Sequence, residues 1–228
     1  MAKILVTLAT LFVLFLTCTR SQLTPVPKNQ FVNGLVIGNP SNKHHLHFTF
    51  DLTCVDCASW YRTKGAAILD MLSNSSQIYG TINVFPLPYH IAAFDASMAA
   101  LLVREKKSNA DALKLYGNMF QNQQPLSNAR TAMLTRDQIR DSIYKEYLRD
   151  FGISENDWKT HYNDVDANLE TRAEFKFACY QSITGTPFFQ ANGVVIPDGY
   201  DKDAKAWIAF FSDLDNGFAH RSNNPIQM

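Results

Sequence analysis

Cys54-Val-Asp-Cys57 constrains this chain more than any other stretch. Its two thiols stand where an apolar, aromatic-rich run, Leu46 to Leu52, meets a segment of helical periodicity, Ala58 to Ser73. A strand that ends at a Cys-x-x-Cys opening a helix sets the first sulfur over the helix N-terminus. There the unpaired N–H groups and the positive end of the helix dipole favour thiolate over thiol. The second sulfur follows one turn on, on the same face, and can attack a mixed disulfide made by the first. The spacing predicts a dithiol built for exchange.

Composition narrows the setting. The chain has 228 residues, 46% of them hydrophobic, enough for one sizeable core with an inserted lobe. Basic and acidic residues balance at 21 each, and Arg104-Glu-Lys-Lys107 reads as a solvated helix face, so no nucleic-acid footprint is expected. Met1-Ala-Lys3, the apolar run Ile4–Leu16 and the small and polar Thr17–Ser21 have the proportions of a secretory signal peptide, residues 1–21, cut after Thr19 or Ser21. The apolar run falls short of the roughly 20 residues of a spanning helix, and no later run reaches that length, so no membrane span is expected in the mature chain. The tail Asn224–Met228 carries no ER-return tetrapeptide. Export to the ER lumen or extracellular space, or to a bacterial periplasm, is the expectation. Of four cysteines, Cys18 leaves with the signal, and Cys54, Cys57 and Cys179 remain, too few and too uneven for a disulfide scaffold. A loop as short as Cys54–Cys57 would restrain the unfolded chain little, which favours a catalytic pair over a staple.

Along the chain, residues 22–45 form a turn-rich lead-in with a short edge strand at Leu35–Ile37, and Leu46–Leu52 reads as a central strand. In the helix after the cysteines, Trp60, Tyr61, Ala67, Ile68, Met71 and Leu72 recur at helical spacing and predict the buried face. Thr81–Phe85 is the next strand, stopped by Pro86-Leu-Pro88. Helices follow at Ala93–Lys106 and Asp111–Gln121. Thr135-Arg-Asp-Gln138 is a capping box opening a helix to about Phe151, and Ser154-Glu-Asn-Asp157 opens one carrying Trp158. Asp164–Gln181 supplies a longer helix. Pro187–Ala191 and Val194–Ile196 flank Asn192-Gly193, a strong hairpin signal. Ala204–Leu214 closes as a helix with Trp207, Ile208, Phe211 and Leu214 inward, ahead of a polar tail. This order predicts an α/β fold, a mixed sheet flanked by helices with an inserted helical lobe. Its parts are residues 22–90, the insertion 91–182, residues 183–217 completing the first part, and a flexible tail 218–228.

Four segments, in order, resemble the DsbA-like thiol:disulfide oxidoreductases, a thioredoxin-fold family with a helical insertion. Phe50-Asp-Leu-Thr-Cys54-Val-Asp-Cys57 is similar to the family's strand-end active site. Val84–His90, running into Ala92–Ala100, resembles its second strand and Ala-rich exit helix, and Gly185-Thr-Pro187-Phe-Phe-Gln-Ala-Asn-Gly193 its cis-proline loop. Gly34-Leu-Val-Ile-Gly38-Asn-Pro40 resembles its lead-in strand. The resemblance implies that Cys54 attacks and Cys57 resolves. It also implies that Pro187 is cis beside the sulfurs and that the Thr186 backbone pairs with an extended substrate segment. Cysteine-containing proteins would be the substrates and an unidentified redox partner would reset the pair, with no cofactor. Two positions depart from the pattern. Asp56 stands where strongly oxidising members have His, and a carboxylate there opposes the Cys54 thiolate, which predicts a less oxidising couple. Phe48 stands where many relatives bury a proton-shuttling acid, leaving Asp51 and Asp56 as candidates for pKa tuning.

Smaller signals compete. His44, His45 and His47 beside the cysteines suggest a metal, but strand alternation puts His45 and His47 on one face and His44 on the other, so none is expected. Cys179, amid Phe175, Phe177 and Tyr180, is expected to be a buried small hydrophobe. Two other functions use the same features: a peptide- or partner-binding thioredoxin-fold protein with a structural Cys54–Cys57 bond, and a relative acting on glutathione or small molecules.

Overall fold

The computed structural model describes residues 34–217; the signal peptide, its cleavage site and the tail 218–228 lie outside the described residues. Among the described residues five strands form one sheet, in the order β1-β3-β2-β4-β5. β1 is Leu35–Ile37, β2 His44–Phe50, β3 Ile78–Val84, β4 Phe188–Ala191 and β5 Val194–Val195. β2 and β3 run parallel, and the other neighbours are antiparallel. The sheet is mixed and flanked by helices, as the sequence order predicts.

β2 starts two residues before the expected strand and ends two before its expected end. His44 and His45 join the ladder opposite Ile78 and Tyr79. At the other end the Asp51 carbonyl accepts from the Cys54 amide at 3.1 Å, a tight turn that takes Asp51 and Leu52 out of the sheet.

The period-2 alternation of β2 divides its contacts between two faces. Phe48 and Phe50 pack on Trp60, at ring distances of 5.5 and 5.1 Å, and Phe48 also meets Phe189. On the opposite face His45 stacks on Tyr79, and His47 meets Phe177 edge-on. His44 turns the other way, onto Phe211. The three histidines therefore do not converge, and both ring contacts on Thr81 Oγ1, 2.6 Å from His45 and 2.7 Å from His47, come from the same face.

Helix α1 (Val55–Trp60) passes through a π-helical turn, Tyr61–Gly65, into α2 (Ala66–Asn74). The wider turn advances the helix by one residue and rotates the face that follows. Ile68, Leu69 and Leu72 are buried while Ala67, expected inward, is exposed. Gly65 is the residue that allows this: a Cβ there would lie 2.7 Å from Trp60 Cζ3.

Between β3 and β4 the chain is helical. It forms α3 (Ala93–Lys106), α4 (Asn109–Gln121), the short α5 (Asn128–Thr131), α6 (Arg136–Ile143), α7 (Glu155–Asn163) and α8 (Val165–Tyr180). Thr135 and Gln138 make the expected capping box, and Ser154 caps α7. The last helix, α9 (Ala204–Asp215), buries Trp207 and Phe211, but Ile208 is half exposed, contrary to expectation. The inner side of α9 follows the i, i+4 pair, and Ile208 is rotated about 100° from Trp207.

α8 overturns the expectation for Cys179, which is exposed. The residues this helix buries are Ala167, Thr171, Glu174 and Ala178, not its aromatics. Glu174 is tolerated inside because Arg104 pairs with it at 2.6 Å and the Val84 amide donates to it at 3.3 Å.

Candidate active site

The turn after β2 sets Cys54 at the N-cap of α1, in extended backbone. No side chain caps this end, so the orphan amides of the first turn point toward the Cys54 sulfur. From far along the sequence, the loop before β4 arrives opposite with a cis Thr186–Pro187 bond. The Cys54 thiol donates to the Thr186 carbonyl at 3.5 Å. The structure thus brings together Cys54, Cys57, Thr186 and Pro187. Proline offers no N–H here to compete for the sulfur.

The two thiols sit in unlike surroundings. Both are buried, but Cys57 completely while Cys54 keeps 4% of its surface, so Cys54 is the one nearer to solvent. Cys54 is held at about 6, chiefly by the Cys57 thiol donating to it. The backbone N–H of Cys57, the Thr186 hydroxyl and the Asp56 N–H add to this, and together they outweigh burial. Burial pushes Cys57 well above the usual thiol range, and the neighbouring Cys54 sulfur adds to that. The Thr186 hydroxyl is buried and has no other partner among the described residues, which leaves it to serve whichever sulfur carries charge.

The tuning candidates separate. Asp56 is exposed, and what it brings to Cys54 is its backbone amide. Asp51 is completely buried. One carboxylate oxygen accepts from the amide and the hydroxyl of Thr53, both at 2.7 Å. The other accepts from the Leu87 amide at 2.9 Å and meets His90 Nδ1 at 2.7 Å. Asp51 therefore fastens the residue before Cys54 to the turn after β3, and its own backbone N–H points to Cys57.

Sequence reasoning misses two of these residues. His90 is visible only as part of a Pro-rich turn. Gln123, between α4 and α5, donates to the carbonyls of Leu52 at 3.1 Å and Cys54 at 2.9 Å, holding the thiol turn against the helical block. Nothing local to Gln123 signals it. Among the described residues no group of three or more His, Cys, Asp and Glu side chains could hold a metal ion. No helix among them is long and apolar enough to cross a membrane.

A family model described as thioredoxin matches residues 30–209. No curated protein matches the sequence. Among solved structures, alpha-DsbA1 of Wolbachia pipientis superposes with a TM-score of 0.64 at 16% identity, covering 86% of this chain and 97% of its own. DsbA of Chlamydia trachomatis gives 0.61 at 11% identity, covering 85% and 98%. Oxidised BdbD of Bacillus subtilis gives 0.60 at 14%, covering 81% and 98%. At such identities the likeness is one of fold, and it extends over the sheet and the helices between β3 and β4 alike. The chain belongs to the thioredoxin family and has a DsbA-like fold.

Proposed function

We propose that this protein is an exported thiol:disulfide oxidoreductase acting on cysteine-containing proteins. The carrying observation is the pairing of Cys54, the less buried of the two thiols and ionised at neutral pH, with a fully buried Cys57, beside the cis-proline loop. In the reducing direction the Cys54 thiolate attacks a client disulfide, forming a Cys54–client bond and releasing one client thiolate. Cys57 gives up its proton and attacks the Cys54 sulfur, closing Cys54–Cys57 and releasing the second client thiolate. Oxidation of a client runs the same steps backward. The proton on Cys57 is the harder one to move, because burial favours the neutral thiol.

Thr186 and Pro187 are the proposed substrate-binding residues: an extended client segment lies along the Thr186 backbone, which brings its sulfur toward Cys54. No metal or organic cofactor enters these steps, only a redox partner that resets the pair. Residues 1–21 are proposed as the signal peptide, and residues 91–182 as the helical insertion between the two parts of the thioredoxin-like unit.

A glutathione-buffered assay with a reduced, unfolded disulfide protein tests the proposal. The wild-type chain is expected to speed disulfide formation in the client well above the buffer rate, and Cys54→Ser to remove the effect. A wild-type rate equal to buffer alone overturns it.

A further inference from the structure

A groove of about 560 Å³ opens between the turn after β3 and the outer side of α8. Pro86, Pro88, Ile91, Phe94 and Phe175 make its apolar lining, and Arg172 and Lys176 supply cationic groups; none of its lining residues is acidic. Ile91 is 47% exposed, and Arg172 is exposed with no ion-pair partner among the described residues. Leu87 and His90 form the inner wall, and both are bonded to the buried Asp51 carboxylate. Asp51 in turn is joined to Cys54 by a single tight turn. The groove wall and the reactive sulfur are therefore linked through one buried carboxylate and one tight turn. The groove belongs to the α8 face of the sheet, opposite the face that α1 and Trp60 cover.

We propose that this groove docks the client polypeptide, taking an apolar segment that carries an acidic side chain a few residues from the cysteine under attack. The inference rests on the oxidoreductase reading and deepens it. An apolar floor accepts side chains that a folded client would bury. The cationic flank of Arg172 complements a carboxylate and disfavours a basic segment. The groove wall is also joined to the thiol turn, because Leu87 and His90 share Asp51 with Thr53. An unfolded client thus gains a second hold, and the Thr186 strip need not supply all of its affinity.

Fluorescence anisotropy with a labelled, cysteine-free peptide of Leu, Phe and Asp tests the docking without any redox step. The peptide should bind saturably, about tenfold more weakly to Arg172→Glu and to Ile91→Asp. A peptide with Lys in place of Asp should prefer Arg172→Glu. Both substituted positions are exposed, and alkylation of Cys54 by iodoacetamide in each variant should match the wild type, which shows that the thiol site is intact. Variants that bind like the wild type, or the absence of saturable binding because another part of the chain covers the groove, overturn the proposal. The readouts separate the two claims: loss of exchange activity with retained peptide binding sinks the oxidoreductase reading and spares the groove.

Discussion

Cys54 Sγ lies 3.5 Å from the carbonyl oxygen of Thr186, a residue 132 positions later in the chain. Closing so long a loop is worth its entropy only if the contact is held from both sides. β4 supplies one side, since Phe189 pairs with Phe48 in the central strand and packs on Trp60. The Asp51 turn supplies the other.

The ionisation of Cys54 is directly readable. Its folded value lies below the free thiol's 9.0, so thiolate persists as pH falls until about 6. Alkylation of Cys54 by iodoacetamide should be near its plateau above pH 7 and drop about tenfold per unit well below 6. Exposed Cys179, pushed above 9.0 by partial burial, should react slowly at pH 7. Mass spectrometry of peptides labelled across pH 4 to 10 checks both; a Cys54 midpoint above 8 contradicts the site geometry.

The same ionisation bears on redox poise. A value of about 6 sits between those of DsbA, about 3.5, and thioredoxin, about 7, closer to the latter. The Cys54–Cys57 potential is therefore expected between about −270 and −120 mV, nearer the lower end. Equilibration with glutathione measures it, and a potential of about −120 mV would refute the expectation of a less oxidising couple.

Asp51→Asn should be costly although the shape is nearly unchanged. Whichever way it turned, an amide nitrogen would face one obligate donor in place of an acceptor, the Thr53 amide on one side or the Leu87 amide on the other. At about 1–3 kcal/mol for a donor left unmatched in the interior, a loss of about 2 kcal/mol in urea unfolding is expected. A loss under about 0.5 kcal/mol would mean that the carboxylate does not hold this turn.

Gly65→Ala sets two effects against each other. Alanine gains about 1 kcal/mol over glycine in a helix. Its Cβ would lie 2.7 Å from the ring of Trp60, which is fully buried and packed against Phe48, Phe50 and Phe189. Overpacking of that kind costs about 1–3 kcal/mol, so a net loss is expected in thermal unfolding. A raised Tm would show that the π-helical turn is easily relaxed.

Local chemistry made several elements legible. Asn192 and Gly193 both take positive φ, 49° and 82°, as a two-residue hairpin needs, and their dipeptide announces it. The Thr135–Gln138 capping box is written in four consecutive residues. The cis bond at Pro187 followed from resemblance, since sequence physics alone permits either isomer. What stayed hidden depends on partners distant in sequence. Gln123 and His90 matter through residues 69 and 39 positions away. The outward turn of Ala67 follows from one extra residue in a helical turn, which no periodicity count anticipates. The exposure of Cys179 is not legible because α8 turns small and paired polar residues inward, so its aromatics do not mark the buried side.

A chain carrying Cys57→Ala probes the central claim most directly. With the resolving thiol gone, Cys54 should stay bonded to client proteins, giving adducts on non-reducing gels that dissolve on reduction and vanish when Cys54 is also replaced by Ser. If no adduct forms with oxidised or scrambled client proteins under conditions where iodoacetamide reaches Cys54, exchange through this thiol is contradicted.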